Sequence, residues 1–190
     1  MSTDSRSGED GTPPSREALE ERIDELQTHV ADLEAGDDRK KMSIIATKGS
    51  LDMAYPPLIL ASTAAAFGWE VTVFHTFWGL DILHEDRSRD LKVSAVGNPS
   101  MPMPNALGAF PGGDRLATWY MNREIADNGT ATIEELIDTS LEMGVDLQAC
   151  QMTADLFGYD TDEFYDGVTT DVGAATALQD MADADIQLLV

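Results

Sequence analysis

Cysteine and positive charge are what this chain has least of: one cysteine, Cys150, and 12 basic residues, four of them lysine, against 35 acidic ones. A single thiol excludes an intrachain disulfide scaffold and a cysteine-rich zinc site, and it suits a reducing cytoplasm, the expected location. A formal net charge of −23 leaves no cationic surface for phosphates, so nucleic acid is excluded as a partner. Long apolar runs are missing too. The stretch from Met53 to Trp69 falls short of the ~20 residues a membrane span needs, and its Pro56-Pro57 pair suits the first turn of a buried helix. No secretory signal is visible in the polar, acidic N-terminus. Gly49 and Gly97 form no phosphate-binding fingerprint, and Gly108 to Gly113 lacks the Lys-Ser/Thr ending of a P-loop. His75 and His84 sit in no metal-ligand spacing. Met101, Met103 and Met152 read as thioethers filling gaps, not as a soft-metal site. No metal or cofactor is expected.

What is present supports one well-packed domain with an appendage: 190 residues, 43% of them hydrophobic. The acidic residues are spread along the chain, the pattern of a halophilic surface whose self-repulsion salt screens. Residues Met1 to Ser15 are polar and acidic, without large apolar side chains, and read as a disordered tail. From Arg16 to Gly36, Leu19, Ile23, Leu26, Val30 and Leu33 recur at steps of four, three, four and three. That heptad seam predicts a helix forming a two-stranded parallel coil, or else packing on its own domain. Fewer than three full heptads make such a coil marginal alone, so it would support an oligomer formed elsewhere.

After a charged linker, Asp37 to Lys41, the globular domain is expected over Met42 to Val190. Ser43 to Thr47 reads as a buried strand, Lys48-Gly49-Ser50 as a turn, Pro56 to Phe67 as a helix, and Trp69 to Phe77 as a second strand. Together they make a βαβ unit suited to a parallel sheet. Leu80 to His84 reads as a short helix, Leu91 to Val96 as a third strand or extended segment, and Gly97 to Pro111 as a Met/Pro loop. Asp114 to Ala126 and Thr132 to Met143 are helical, the latter opening on a capping box. Gly173 to Ala184 reads as helix and Ile186 to Val190 as a closing strand. Trp78 and Trp119 are expected to pack.

Val145, Leu147 and Ala149 alternate with Asp146, Gln148 and Cys150, a period of two that predicts a strand; Met152 to Phe157 then turns helical before Gly158. The thiol would lie on a strand-to-helix turn, where ligands of α/β sheets gather. Backbone N–H groups of Gln151, Met152 and Thr153 would favour an anionic sulfur, and the Thr153 hydroxyl adds a donor. Lys48, ending the first strand, lies on the same sheet edge, as a nearby cation or as a solvated turn lysine. The alternative for Cys150 is a small buried hydrophobe.

Four collinear segments carry a family resemblance: Ala54-Tyr55-Pro56-Pro57, Thr76-Phe77-Trp78-Gly79-Leu80, Gly97-Asn98-Pro99 with Met101-Pro102-Met103-Pro104, and Ala149-Cys150-Gln151-Met152-Thr153. Over Met42 to Val190 the chain resembles the DsrE/DsrF/DrsH-like family of sulfur-relay proteins. The resemblance implies a three-layer α/β/α fold with a mostly parallel sheet, a homo-oligomer, and Cys150 holding sulfane sulfur as a persulfide. It also implies partners: a low-molecular-weight sulfane donor or a small sulfur-carrier protein. Thr153 keeps a hydroxyl where the resemblance leads one to expect serine, and no second cysteine is available for a resolving step. The competing functions are a non-catalytic assembly module with a structural cysteine, and thiol peroxidase chemistry, for which the resolving partner is lacking.

Overall fold

Five short runs pair side by side into one parallel sheet: β1 (Lys41–Ala46), β2 (Glu70–His75), β3 (Asp146–Cys150), β4 (Thr169–Val172) and β5 (Ile186–Leu189), in the order β4-β3-β2-β1-β5. The structure, a computed structural model, describes residues 19, 22, 23, 25–27, 39–94 and 113–190. It comprises two units, Met1–Asp38 and Arg39–Val190. The tail expected at 1–15, the Met/Pro loop expected over 97–111, and Val30 and Leu33 of the heptad seam lie outside the described residues.

Alternation divides the sheet into two faces. Met42, Ile44 and Ala46 of β1 stand beside Val71, Val73 and His75 of β2, and Leu147 and Ala149 of β3 continue the row. This face is covered by α1 (Leu51–Ala66) and α4 (Ile133–Glu142), whose Leu58, Ala61, Ile133 and Ile137 join the main core. On the opposite face Ile45, Phe74, Cys150 and Val172 pack with Ala177 of α6 (Ala174–Asp183). Helices thus flank the sheet on both sides. Among the described residues of Arg39–Val190, the other α-helices are α2 (Glu85–Ser88), α3 (Gly113–Asp127) and α5 (Gln151–Phe157).

Local chemistry accounts for most boundaries. The Thr132 hydroxyl accepts from Glu135 N–H at 3.2 Å while Glu135 Oε2 accepts from Thr132 N–H at 2.8 Å, completing the expected capping box of α4. Gly158, at φ +70°, ends α5 in the left-handed conformation that glycine adopts without strain.

Helix α1 corrects the expected start at Pro56. It begins at Leu51, so Pro56 and Pro57 lie inside it. Its first turn is held from outside: Leu51 N–H donates to Lys92 O at 2.9 Å, and Asp52 accepts from the Ser94 backbone N–H at 2.8 Å and hydroxyl at 2.9 Å. Partial burial raises the Asp52 pKa, but the hydrogen bonds from Ser94 and Ser50 outweigh it, and the net direction is down. Residues 91–94 are an extended segment and not a strand: Lys92 O and Ser94 bond the start of α1, and Val93 N–H donates to Thr118 Oγ1 at 3.2 Å. Leu80 to His84 differs as well: a 3₁₀ helix spans Phe77–Ile82. Strand β4 carries no apolar alternation, since its Thr-Thr-Asp-Val run has only Val172 buried.

Candidate functional site

Cys150 is the last residue of β3 and the N-cap of α5, with extended backbone at φ −64°, ψ 111°. The β2–β3 register pairs His75 with Ala149, so Thr76, the next residue along, comes beside Cys150. The side chains of Thr153 and Thr76 and the backbone N–H groups of Thr153 and Met152 are the donor groups that act on the thiol. Burial pushes the thiol pKa up, but these four donors together hold it below the ordinary value. The residue is only 2% exposed and Thr153 1%.

The donors are themselves oriented. Phe77 N–H donates to Thr153 Oγ1 at 3.2 Å, and the Thr76 and Thr153 hydroxyl oxygens lie 3.2 Å apart. A hydroxyl has one proton and two acceptor positions. Phe77 N–H and the hydroxyl–hydroxyl contact leave one proton of the pair for sulfur: that of Thr153 when Thr76 donates to Thr153, and that of Thr76 when the order is reversed. Phe77 follows an extended Thr76 and has φ +49°, a left-handed backbone that non-glycine residues seldom adopt and that costs about 1–3 kcal/mol. This strained corner turns the chain directly into the 3₁₀ helix, whose close packing needs glycine twice. A Cβ on Gly79 would lie 2.3 Å from Ala46 O, and one on Gly49 would lie 2.0 Å from Trp78 O.

Phe77, Trp78, Met152 and Leu156 are exposed, and Trp78 stacks on Phe157 with ring centroids 5.3 Å apart at 17°. Trp78, expected to pack, does so against Phe157 while its outer face stays exposed, and Trp119 is exposed too. Beyond it Tyr159 O–H donates to Asp81 at 2.6 Å beneath the Arg87 guanidinium, 4.6 Å from the ring. Burial first, and then the Asp81 carboxylate, push the Tyr159 pKa up to about 12.

Of the residues proposed from sequence, Cys150, Thr153 and the Met152 backbone come together. The Gln151 side chain instead donates to Asp155 Oδ1 at 2.8 Å. Lys48 is exposed and makes no hydrogen bond or ion pair among the described residues. It follows β1, separated from β3 by β2, beside the β1–β5 junction where the strand order reverses. Thr76 was missed; only the strand register, which no local pattern states, brings it to the sulfur. His75 and His84 are both buried, and no cluster of three His, Cys, Asp or Glu with metal-binding geometry exists among the described residues.

The profile of the DsrE/DsrF/DrsH-like family matches residues 38–189. The chain belongs to that family. The family portion holds every element of the Cys150 site and leaves residues 1–37 outside it. Among curated proteins, the "Sulfur carrier protein DsrE2" of Allochromatium vinosum is 46% identical over 161 residues, covering 80% of this chain and 99% of its own. The "Uncharacterized protein YrkE" of Bacillus subtilis is 29% identical over 164 residues, covering 80% and 97%. A crystal structure of the ychN protein from E. coli aligns over 80% of this chain and 99% of its own, with a TM-score of 0.47 and 13% identity. Among the described residues of this family member no helix is long and apolar enough to cross a membrane.

Proposed function

We propose that this protein is a sulfur carrier that holds sulfane sulfur as a persulfide on Cys150 and passes it to a relay partner. The observation that carries the reading is the thiol's four-donor setting, which favours thiolate in a chain 46% identical to a protein named a sulfur carrier. In loading, the Cys150 thiolate attacks the outer sulfur of a donor persulfide. The donor's S–S bond breaks, a new S–S bond forms at Cys150, and the donor thiolate leaves. In unloading, an acceptor thiolate takes the outer sulfur and Cys150 leaves as thiolate, so neither step needs an external oxidant. Donors that stabilise the Cys150 anion assist both steps.

A second reading is favoured by one specific observation, the burial of the thiol at 2% exposure. In it Cys150 is a structural hydrophobe and the domain an assembly module. The two readings separate by experiment. The native protein is incubated with a small persulfide donor and its intact mass recorded. The carrier reading expects a gain of one sulfur atom, absent in Cys150→Ser and removed by a thiol acceptor. No gain on the native protein, together with alkylation of Cys150 only on unfolding, would establish the structural reading instead.

A further inference from the structure

Leu19, Ile23 and Leu26 form a row on one side of the N-terminal helix that nothing in the domain chemistry uses. These residues are helical, as are Arg22, Glu25 and Gln27, and the three apolar ones are 47%, 52% and 59% exposed. Among the described residues, three large side chains at heptad spacing stand half in water on this helix.

The charges beside that seam identify the partner and its direction. With Ile23 at position a and Leu26 at d, the e positions are Glu20, Gln27 and Glu34, and the g positions include Arg22 and His29. No acid occupies a g position within these heptads, although acids outnumber bases 35 to 12 in the chain as a whole. In a parallel pair each g residue faces the e residue of the partner's next heptad, which sets His29 against Glu34 and Arg22 against Gln27, with no like charges. An antiparallel pair would bring e against e, and so glutamate against glutamate. We infer that this helix pairs in parallel and in register with the same helix of a second copy of this chain. The pairing lies outside the family portion and is independent of the sulfur chemistry. It tethers two carrier domains through one short coil.

The test uses the full chain with Cys150→Ser and one added cysteine. In a parallel, in-register pair the two position-23 side chains face each other within disulfide reach. Mild oxidation of Ile23→Cys is expected to convert the monomer band on a non-reducing gel to a covalent dimer. Thr28→Cys, at the outward f position, is expected to remain monomeric. A second check is mass in solution: Ile23→Glu with Leu26→Glu is expected to halve the mass of the assembly. Absence of the Ile23→Cys dimer, or equal cross-linking at position 28, would overturn the proposal. An unchanged mass in the double variant would overturn it as well.

Discussion

At the scale of single residues, the behaviour of Cys150 depends on which way two hydroxyl protons point. Thr153 donates to sulfur when Thr76 donates to Thr153, because Phe77 N–H and Thr76 then fill both of its acceptor positions. Thr153→Val keeps shape and removes the proton. Losing one hydrogen bond to a charged group is worth about 1.5–3 kcal/mol, or about one to two pKa units. The pH titration of thiolate ultraviolet absorbance should therefore shift upward in Thr153→Val and by less in Thr76→Val, while Thr153→Ser stays close to wild type. An unshifted titration in both valine variants would show that the hydroxyls do not set the thiol's charge. His75 supplies a second prediction, on stability. It is fully buried, its Nε2 has no hydrogen-bond partner, and burial holds its pKa down to about 4. The unfolded chain binds a proton near pH 6.5 that the folded chain refuses, so stability is complete above that pH and falls as pH drops toward about 4. The loss attributable to this ring is on the order of 3 kcal/mol. Urea unfolding at a series of pH values should show that slope in the wild type and a shallower one in His75→Gln.

At the scale of elements, the site rests on the close approach of the β1 turn to the 3₁₀ helix after β2. The Ala46 carbonyl sits where a Gly79 side chain would go, and the Trp78 carbonyl where a Gly49 side chain would go. Gly79→Ala should lower the urea midpoint by an amount equivalent to about 1–3 kcal/mol, the usual cost of overpacking. Because the same corner carries Phe77, it should also raise the Cys150 pKa; a destabilised variant with an unmoved titration would separate packing from the thiol. Elements with a strong local signal were legible in the sequence. The alternation before Cys150, the capping box at Thr132 and the glycine after Phe157 each encode their own boundary. What was not legible was set at a distance. The first turn of α1 precedes two prolines and is held by Lys92 and Ser94, some 40 residues away in sequence. Strand β4 is polar and exists because β3 offers it an edge. The thiol could be found from sequence as the sole cysteine at a strand end, whereas Thr76 required the register of β2 against β3, and the burial of Cys150 required the packing of α6.

At the scale of the whole molecule, charge sets the terms. Thirty-five acidic residues against 12 basic ones give −23 over 190 residues, and the pairs of Lys41 with Glu70, Arg89 with Glu134 and Arg123 with Asp127 are exposed. Exposed pairs of this kind contribute little, about 0–1 kcal/mol each, and salt weakens them. Repulsion among the surplus carboxylates has the opposite salt dependence, since screening relieves it. The two effects compete, and the arithmetic favours repulsion because most acids have no base to pair with. Raising potassium chloride shortens the screening length from about 10 Å at 0.1 M to about 3 Å at 1 M. The thermal midpoint should therefore climb steeply over this range, and chloride is the informative anion because sulfate would strengthen apolar burial on its own account. A midpoint that stays flat or falls would mean that the acidic surface is not an adaptation to salt. Screening bears on association too. In the pair inferred above, the seam is held by Leu19, Ile23 and Leu26, whose apolar contact does not weaken with salt, while two strongly anionic domains repel at low ionic strength. The dimer trapped at position 23 should accordingly form faster at 1 M than at 0.1 M potassium chloride, the reverse of what an ion-pair interface would give.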